Sequence, residues 1–297
     1  MTSASAPAPG RATGAQVVPA LLGLVRFQHT VFALPFAFAG ALMARNAWPP
    51  VGVLGWVLLA MVGARSLAMA LNRLVDRHVD ARNPRTAGRH IPSGRLSVNQ
   101  VRVFAVVSLA ALLAAVSQLP EFTWWLWPIP VVLFVIYPYT KRFTWTCHLV
   151  LGIAIGIAPI GGWIAVTGQF AWAPVLLWAA VAVWIAGFDI IYALLDVDSD
   201  RAEGINSVPV RFGERTSLRM AAACHLLTVV LLVLAGAAAS VTWPYYVGVA
   251  VCAGILAWEH LHVRPGDVAR INAAFGNANM VMSLVFFIGV VAEVGIA

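Results

Sequence analysis

The sequence has little charge for its length. Asp, Glu, Lys and Arg make up only 10% of its 297 residues, and hydrophobic residues make up 61%. A soluble domain would carry roughly 25% charged residues. The composition therefore excludes a soluble globular domain and indicates an integral membrane protein.

Cysteine and lysine are also scarce. The three cysteines, Cys147, Cys224 and Cys252, lie far apart in apolar stretches and form no C-x-x-C pair. This argues against a disulfide framework or a zinc site. Lys141 is the only lysine, although the formal net charge is +7. The positive charge does not indicate a nucleic-acid partner, because the arginines lie in loops beside apolar segments.

Apolar segments of about 20 residues, enough to span a membrane, follow one another along the chain. Residues 1–16 are rich in Ala, Pro, Ser and Gly and are predicted to form a disordered tail without the features of a cleaved signal. Residues 17–297 are predicted to form a single all-α domain of nine transmembrane helices. The predicted spans are 20–43, 51–74, 98–118, 123–140, 146–166, 172–195, 216–238, 243–262 and 271–294.

The distribution of positive charge predicts the orientation. Among the 19 Lys and Arg residues, only Arg45 falls in a loop on the far side of the nine-helix arrangement. The long polar loops 76–97 and 196–215 lie on the opposite, arginine-rich side. The positive-inside rule places that side in the cytoplasm. We therefore predict a multi-pass protein of the cytoplasmic (inner) membrane.

Six of the twelve acidic residues lie in two clusters, each where a predicted helix meets a long polar loop. Carboxylates beside a membrane core are costly and are usually functional. Residues spaced by four or seven positions share one face of a helix, so each cluster is predicted to form a single stripe. The stripes consist of Asn72, Asp76 and Asp80 in the first cluster, and of Asp189, Asp196 and Asp200 in the second.

Hard oxygen ligands of this kind suit Mg²⁺, which is usually held by one or two carboxylates together with phosphate oxygens. We therefore predict two Mg²⁺ ions around one diphosphate. The predicted ligands are Asn72, Asp76, Asp80, Asp196 and Asp200. A solvated acidic helix end is the alternative, but carboxylates repeated at this spacing repel one another unless a cation joins them.

The two clusters repeat at an offset of 120 residues. Both Asp pairs keep this offset, and so do Ser97 and Ser217, each of which is placed to cap the helix that follows the polar loop. The pattern resembles a parallel internal duplication. The two similar halves would cover about 51–166 and 172–295.

Further polar residues are candidates for contacting a substrate. Lys141 follows Tyr137 at the end of the fourth predicted span, where its ammonium group is predicted to grip a diphosphate, with a plain helix-end anchor as the alternative. Arg65 lies inside a spanning segment on the same face as Asn72, and an intramembrane arginine is a functional candidate by default. The other predicted substrate-binding residues are Arg26, His29, Arg77, Tyr192 and Arg201.

These motifs resemble those of the UbiA superfamily of intramembrane prenyltransferases. The first cluster is similar to the family's first aspartate-rich motif and the second cluster to its second motif, and residues 137–142 and 204–213 also match typical family sequence. The resemblance implies nine helices around a central cavity that opens to lipid. It also implies Mg²⁺-dependent transfer of a polyprenyl group from polyprenyl diphosphate to an aromatic ring. We predict catalytic roles for Lys141, Arg65 and Asp189, and Asp189 either acts on the acceptor or orients a metal.

The acceptor is predicted from the first apolar segment. Residues 27–36 resemble the UbiA-like branch associated with menaquinone made through futalosine, which implies a dihydroxynaphthoate-type acid. The alternative is 4-hydroxybenzoate, on the route to ubiquinone. An alternative of another class is an ion-coupled transporter or lipid-binding protein. The position of the acidic motifs at one membrane face, and not at mid-bilayer, argues against that class.

Overall fold

The computed structural model describes residues 11–25, 33–264, 266–273, 276 and 278–296. These residues form helices and loops, and no β-strand occurs among them, so the all-α prediction is confirmed. The helices are α1 (Val17–Val25), α2 (Leu34–Met43), α3 (Val51–Arg82), α4 (Val98–Val116), α5 (Glu121–Leu126), α6 (Pro128–Thr140), α7 (Cys147–Gly156), α8 (Ala158–Thr167), α9 (Trp172–Ala193), α10 (Val197–Ala202), α11 (Val208–Phe212), α12 (Glu214–Ala238), α13 (Trp243–His262), α14 (Val268–Ala273) and α15 (Asn279–Ile296).

Within the described part of the chain, seven helical segments are long and apolar enough to cross a membrane. They are α3, α4, α5 with α6, α7 with α8, α9, α12 and α15. The first predicted span falls on α1 and α2, and residues 26–32 between them lie outside the described residues. The eighth predicted span is α13, which has 20 residues. Aromatic residues in its first turn and Glu259 and His260 near its end lower its apolar character, so it is not among the seven.

The last residues of the segment predicted as a disordered tail, 11–16, are described by the structure, and Ala12 is fixed by hydrogen bonds. Ala12 is buried, its amide nitrogen donates to the Arg95 carbonyl oxygen at 2.9 Å, and its own carbonyl oxygen accepts from Gln100 Nε2 at 3.2 Å. Ala12 therefore packs against the start of α4, whereas residues 13–16 are exposed. Residues 1–10 of the predicted tail lie outside the described residues.

The two acidic clusters are presented differently by the backbone. Helix α3 runs for 32 residues and continues past its predicted end at residue 74, so Asn72, Asp76 and Asp80 share one helical face, as predicted. Helix α9 instead ends at Ala193, where the amide nitrogen of Asp196 bonds back three residues to the Ala193 carbonyl oxygen. The prediction of one continuous stripe in the second cluster was therefore wrong.

The chain turns between α9 and α10, with Asp196 as the residue preceding α10 and Asp200 within it. The short helix α10 thus redirects both carboxylates from the α9 axis. The result is a second cluster made by two helices and a turn, whereas the first cluster is made by one helix.

The predicted helix caps also differ between the two halves. Ser97 caps α4 in a capping box, in which its side chain accepts from the Gln100 amide and the Gln100 side chain accepts from the Ser97 amide. Ser217 lies inside α12, which begins at Glu214, and its hydroxyl donates to the Gly213 carbonyl oxygen at 2.8 Å. The prediction that Ser217 caps this helix was therefore wrong.

Glycines bring several pairs of helices into direct backbone contact, most closely α2 with α8 and α7 with α9. A methyl group at Gly162 of α8 would lie 1.9 Å from the Ala37 carbonyl oxygen of α2, and one at Gly152 of α7 would lie 2.0 Å from the Ala182 carbonyl oxygen of α9. Small residues commonly form such contacts between membrane helices. Helices α5 and α6 contain no glycine, and together they form the least buried of the seven spanning segments.

Candidate active site

A polar pocket of about 280 Å³ lies where α3, α6, α7 and α9 meet the loops that follow α3 and α9. The predicted site residues that line it are up to 135 positions apart in the sequence, from Arg65 to Asp200. The pocket is lined by most of the predicted site residues: Arg65, Asn72, Asp76, Asp80, Tyr137, Lys141, Asp189, Tyr192, Asp196 and Asp200.

Two predicted substrate-binding arginines lie outside this lining. Arg77 follows Asp76 directly and so points about 100° away from it around α3, and its guanidinium donates to the Leu74 carbonyl oxygen at 2.6 Å. The side chain of Arg201 is 65% exposed and lies 3.8 Å from Asp198. The two predictions in the first apolar segment, Arg26 and His29, lie outside the described residues.

Asp76 is the most buried carboxylate of the first cluster, at 2% exposure. Its Oδ2 accepts from Lys141 Nζ at 2.6 Å and from Asn72 Nδ2 at 3.1 Å, and Asn72 Nδ2 also lies 3.4 Å from the Tyr137 hydroxyl. The Oδ1 atom of Asp76 is buried without a hydrogen-bond partner among the described residues. A buried carboxylate oxygen of this kind is costly unless a cation or donor reaches it.

Asp80 lies one helical turn further along α3 and is also buried. Its Oδ1 accepts from Arg89 Nη1 at 2.6 Å, and Arg73 Nη1 lies 3.8 Å from its Oδ2. Like Asp76 Oδ1, this Oδ2 is a buried oxygen without a hydrogen-bond partner in the described part of the chain. The first cluster therefore offers two free carboxylate oxygens on one helix face.

Asp196 is held by the loop that follows α3. Both of its oxygens accept from the guanidinium of Arg85, with the Nε–Oδ1 pair at 2.7 Å, and Asn83 Nδ2 donates to Oδ1 at 3.0 Å. Arg85 Nη1 also donates to the Tyr192 hydroxyl at 2.8 Å. Burial raises the pKa of the neighbouring Asp200 carboxyl to about 6, because removal from water disfavours its charged form.

The two long loops are joined at the mouth of the pocket. Arg82 and Glu203 form a bidentate ion pair, with Nε donating to Oε1 at 2.6 Å. This guanidinium lowers the pKa of Glu203. The Asn206 amide nitrogen donates to the Lys141 carbonyl oxygen at 2.7 Å, which ties the end of α6 to the loop after α10.

Several polar side chains that line the pocket were not among the site residues selected from the sequence, including Asn83, Arg85, Arg89 and His148. The first three lie within nine residues of Asp80 in a loop that is rich in arginine, and this proximity to the first cluster was the available signal. His148 lies 41 positions from its partner Asp189 and has no spacing that reveals the contact. The packing of α7 against α9 creates that pair.

An apolar cavity of about 480 Å³ adjoins the polar pocket. Arg65, Phe134 and Ile155 line both, so the cavity and the pocket are neighbours. Arg65 Nε is buried without a hydrogen-bond partner among the described residues. The rest of the cavity lining is almost entirely apolar and comes from α2 to α9, which suits a long hydrocarbon chain whose charged end lies in the polar pocket.

The donor set of the polar pocket fits a hard divalent cation. Five carboxylates converge there, and two of their oxygens are buried without a hydrogen-bond partner among the described residues. In the described part of the chain, no three Asp, Glu, His or Cys side chains are close enough together to hold a metal ion as they stand. Lys141, Arg89 and Arg85 pair with the carboxylates of Asp76, Asp80 and Asp196.

Comparison with known proteins places this geometry in context. A model described as the UbiA prenyltransferase family matches residues 33–287. The 4-hydroxybenzoate octaprenyltransferase of Pseudomonas fluorescens (strain Pf0-1) is 31% identical over 236 residues, which cover 80% of this chain and 79% of that protein.

Solved structures of similar fold are also known. A UbiA homologue from Aeropyrum pernix K1, in its apo state, is 29% identical with a TM-score of 0.81, covering 89% of this chain and 98% of that one. A UbiA homologue from Archaeoglobus fulgidus bound to GPP and Mg²⁺ is 17% identical with a TM-score of 0.68, covering 93% of this chain and 99% of that one. At that identity the second likeness concerns the fold.

Proposed function

Because the chain belongs to the UbiA prenyltransferase family, we propose that it transfers a polyprenyl group from polyprenyl diphosphate to the ring of 4-hydroxybenzoate. The protein is thus an integral membrane prenyltransferase, and the proposal concerns its donor, its acceptor and its metal. The observation that carries the proposal is the convergence of both aspartate clusters on one polar pocket that adjoins an apolar cavity.

The donor would bind across both spaces. Its diphosphate would lie in the polar pocket, where Lys141, Arg85 and Arg89 supply positive charge, and its hydrocarbon chain would lie in the apolar cavity. Guanidinium groups favour bidentate contacts with phosphate oxygens, whereas the ammonium group of Lys141 is a compact point charge. These cations would leave the carboxylates that they now contact and turn to the diphosphate.

The carboxylates so released would hold Mg²⁺. Asp76 and Asp80 would bind one ion beside Asn72, and Asp196 and Asp200 would bind another. Bound Mg²⁺ neutralises the charge that develops on a diphosphate leaving group. The apolar walls beyond Arg65 would keep water away from the allylic carbon.

The choice of acceptor follows the relatives. The sequence pattern of residues 27–36 favoured a dihydroxynaphthoate-type acid, and residues 27–32 of that segment lie outside the described residues. The Pseudomonas relative is named for 4-hydroxybenzoate, which supports the alternative. Both acids carry a carboxylate, for which the unpartnered Nε of Arg65, at the junction of pocket and cavity, is a suitable donor.

The arrangement in the membrane is part of the same proposal. Residues 17–297 would form one domain with nine spans, in which the α1–α2 region and α13 add to the seven segments described above. Its two similar halves would cover 51–166 and 172–295. The concentration of arginines around the polar pocket supports a location in the inner membrane with the active site facing the cytoplasm.

A competition assay tests the acceptor. Purified protein in detergent receives Mg²⁺, a polyprenyl diphosphate, and equal amounts of 4-hydroxybenzoate and 1,4-dihydroxy-6-naphthoate, and the products are identified by mass. We expect prenylated hydroxybenzoate to predominate. A predominance of prenylated naphthoate would assign the enzyme to menaquinone synthesis, and the absence of any prenylated product would refute the transfer reaction.

A further inference from the structure

His148 links the one pocket carboxylate of α9 to the protein backbone. Its Nδ1 lies 2.6 Å from Asp189 Oδ2. The His148 side chain is 6% exposed, whereas that of Asp189 is 25% exposed. The imidazole is therefore buried behind a carboxylate that faces the pocket.

The backbone determines which ring nitrogen of His148 carries the proton. The amide nitrogen of Val208, the first residue of α11, donates to His148 Nε2 at 3.2 Å. An amide N–H can donate only to a ring nitrogen with a free lone pair. The proton of the neutral imidazole therefore lies on Nδ1, where it is donated to Asp189.

This arrangement resembles the general pattern in which a base is oriented by a third group. The hydrogen bond from His148 Nδ1 fixes the direction of the Asp189 carboxylate. The oxygen of Asp189 that His148 does not hold, Oδ1, is then available to a substrate. Neither Lys141 nor Arg85 nor Arg89 contacts His148 in the structure's hydrogen bonds or ion pairs.

We propose that His148 is a positioning residue that holds Asp189 in place and directs it at the acceptor ring as its proton acceptor. This rests on the proposed function. In the step concerned, the C–O bond of the prenyl diphosphate breaks and diphosphate leaves with the electron pair. A ring carbon forms the new C–C bond, and its hydrogen passes as a proton to Asp189 Oδ1, while the C–H electrons restore the aromatic ring. The proton then leaves Asp189 for water.

The test compares His148→Leu with His148→Asn. Leucine removes the donor, whereas the Nδ2 of asparagine stands near the place of the imidazole Nδ1 and can still donate to Asp189. We expect kcat to fall about 100-fold in His148→Leu, within the range of general-base contributions, and to stay within about tenfold of wild type in His148→Asn. The KM for the prenyl diphosphate should remain unchanged in both variants.

A kinetic isotope effect separates positioning from a merely structural role. With an acceptor deuterated at the reacting ring carbon, the effect on kcat should rise in His148→Leu, because proton removal becomes rate-limiting, and return toward the wild-type value in His148→Asn. His262→Leu is the matched control, since His262 is exposed and its ring nitrogen bonds the Trp258 carbonyl oxygen of its own helix. It should leave kcat and the isotope effect unchanged.

Two outcomes would overturn the inference. One is that wild type and both variants have equal kcat values and equal isotope effects. The other is that His148→Leu loses both kcat and donor binding, shows no larger isotope effect, and is not rescued by asparagine. If His148→Leu does not elute as a monodisperse species, His148→Gln replaces it, because glutamine keeps the polar volume and displaces the donor from Asp189. If the wild type transfers the prenyl group and the variants do so equally well, only the role of His148 is contradicted. If the wild type transfers no prenyl group, both the proposed function and this inference are contradicted.

Discussion

Asp198 separates the two carboxylates of the second motif in sequence but not in space. Its side chain is fully exposed, whereas Asp196 is 15% exposed and ion-paired with Arg85. Neighbouring aspartates of this segment therefore differ in environment: Asp196 lines the pocket and Asp198 lies on the surface. The acidic character of the segment alone does not distinguish them, but their contacts do.

Replacement of Asp196 by asparagine tests this division. We expect Asp196→Asn to lower prenyl transfer at least about 100-fold, because the neutral amide cannot supply the charge that holds a divalent cation. Asp198→Asn is the matched control two residues away and should leave transfer unchanged. Initial rates at saturating Mg²⁺ measure both variants, and similar rates for the two would contradict the assignment of Asp196.

Lys141 is the only ammonium group in the pocket, and it bonds the most buried carboxylate of the first cluster, Asp76. Lys141→Gln should raise the KM for the prenyl diphosphate by about tenfold or more, equivalent to about 1.4 kcal/mol of binding. The acceptor KM should change little. Steady-state kinetics with each substrate varied in turn provide the measurement. An unchanged donor KM would show that Lys141 only anchors the end of α6.

At the scale of helices, hydropathy identified the long apolar helices. It did not predict where α9 ends. The pattern around Asp189 and Asp196 fits one helical stripe, yet α9 stops at Ala193. Three consecutive backbone hydrogen bonds at this end join an amide nitrogen to the carbonyl oxygen three residues earlier, as in a 3₁₀ turn. The first joins the Leu194 amide nitrogen to the Ile191 carbonyl oxygen. A run of apolar residues followed by acids does not encode this turn, so the shape of the second cluster could not be predicted.

The duplicated serines give the same lesson about local context. Ser97 has glutamine three residues later and forms a capping box with it, whereas Ser217 has Met220 at that position and lies inside α12. The two serines therefore keep the 120-residue offset, but only the first has the neighbouring residue that a capping box requires. Both Asp pairs at the 120-residue offset line one pocket, but the helix cap at that offset is not repeated.

Close packing of α2 against α8 leads to a prediction about stability. Gly162→Ala should destabilise the protein, because the new methyl group would overlap the Ala37 carbonyl oxygen and force the helices apart, at a cost of about 1–3 kcal/mol. The neighbouring variant Gly161→Ala is the matched control, since nothing lies within 4 Å of its new methyl group. Thermal unfolding in detergent compares the two, and equal Tm values would contradict this contact.

At the scale of the whole molecule, the polar pocket was largely predictable and the apolar cavity was not. The acids, Lys141 and Arg65 stood out because charge is rare in the chain, and they converge as expected. The cavity is walled by residues that are indistinguishable in sequence from those that face lipid. His148 was missed for a related reason, since its function depends on a partner from another helix.

The cavity predicts how chain length can be altered. Gly161 lines it with open space beside its Cα, so Gly161→Phe should fill part of the volume. We expect kcat/KM for an octaprenyl donor to fall about tenfold relative to that for a geranyl donor, a difference of about 1.4 kcal/mol. Parallel kinetics with the two diphosphates test this, and an equal loss for both donors would place the chain elsewhere.

The glycine contacts also make the bundle mechanically uneven. Where α8 meets α2 and α7 meets α9, the two backbones are in direct contact, which restricts movement of one helix along the other. Helices α5 and α6 also line the cavity, but they contain no glycine and form the least buried of the seven spanning segments in the described part of the chain. Contacts made by side chains can change by rotamer without moving a helix axis. We therefore expect α5 and α6 to adjust more readily than α7 and α8 when a long hydrocarbon chain enters the cavity.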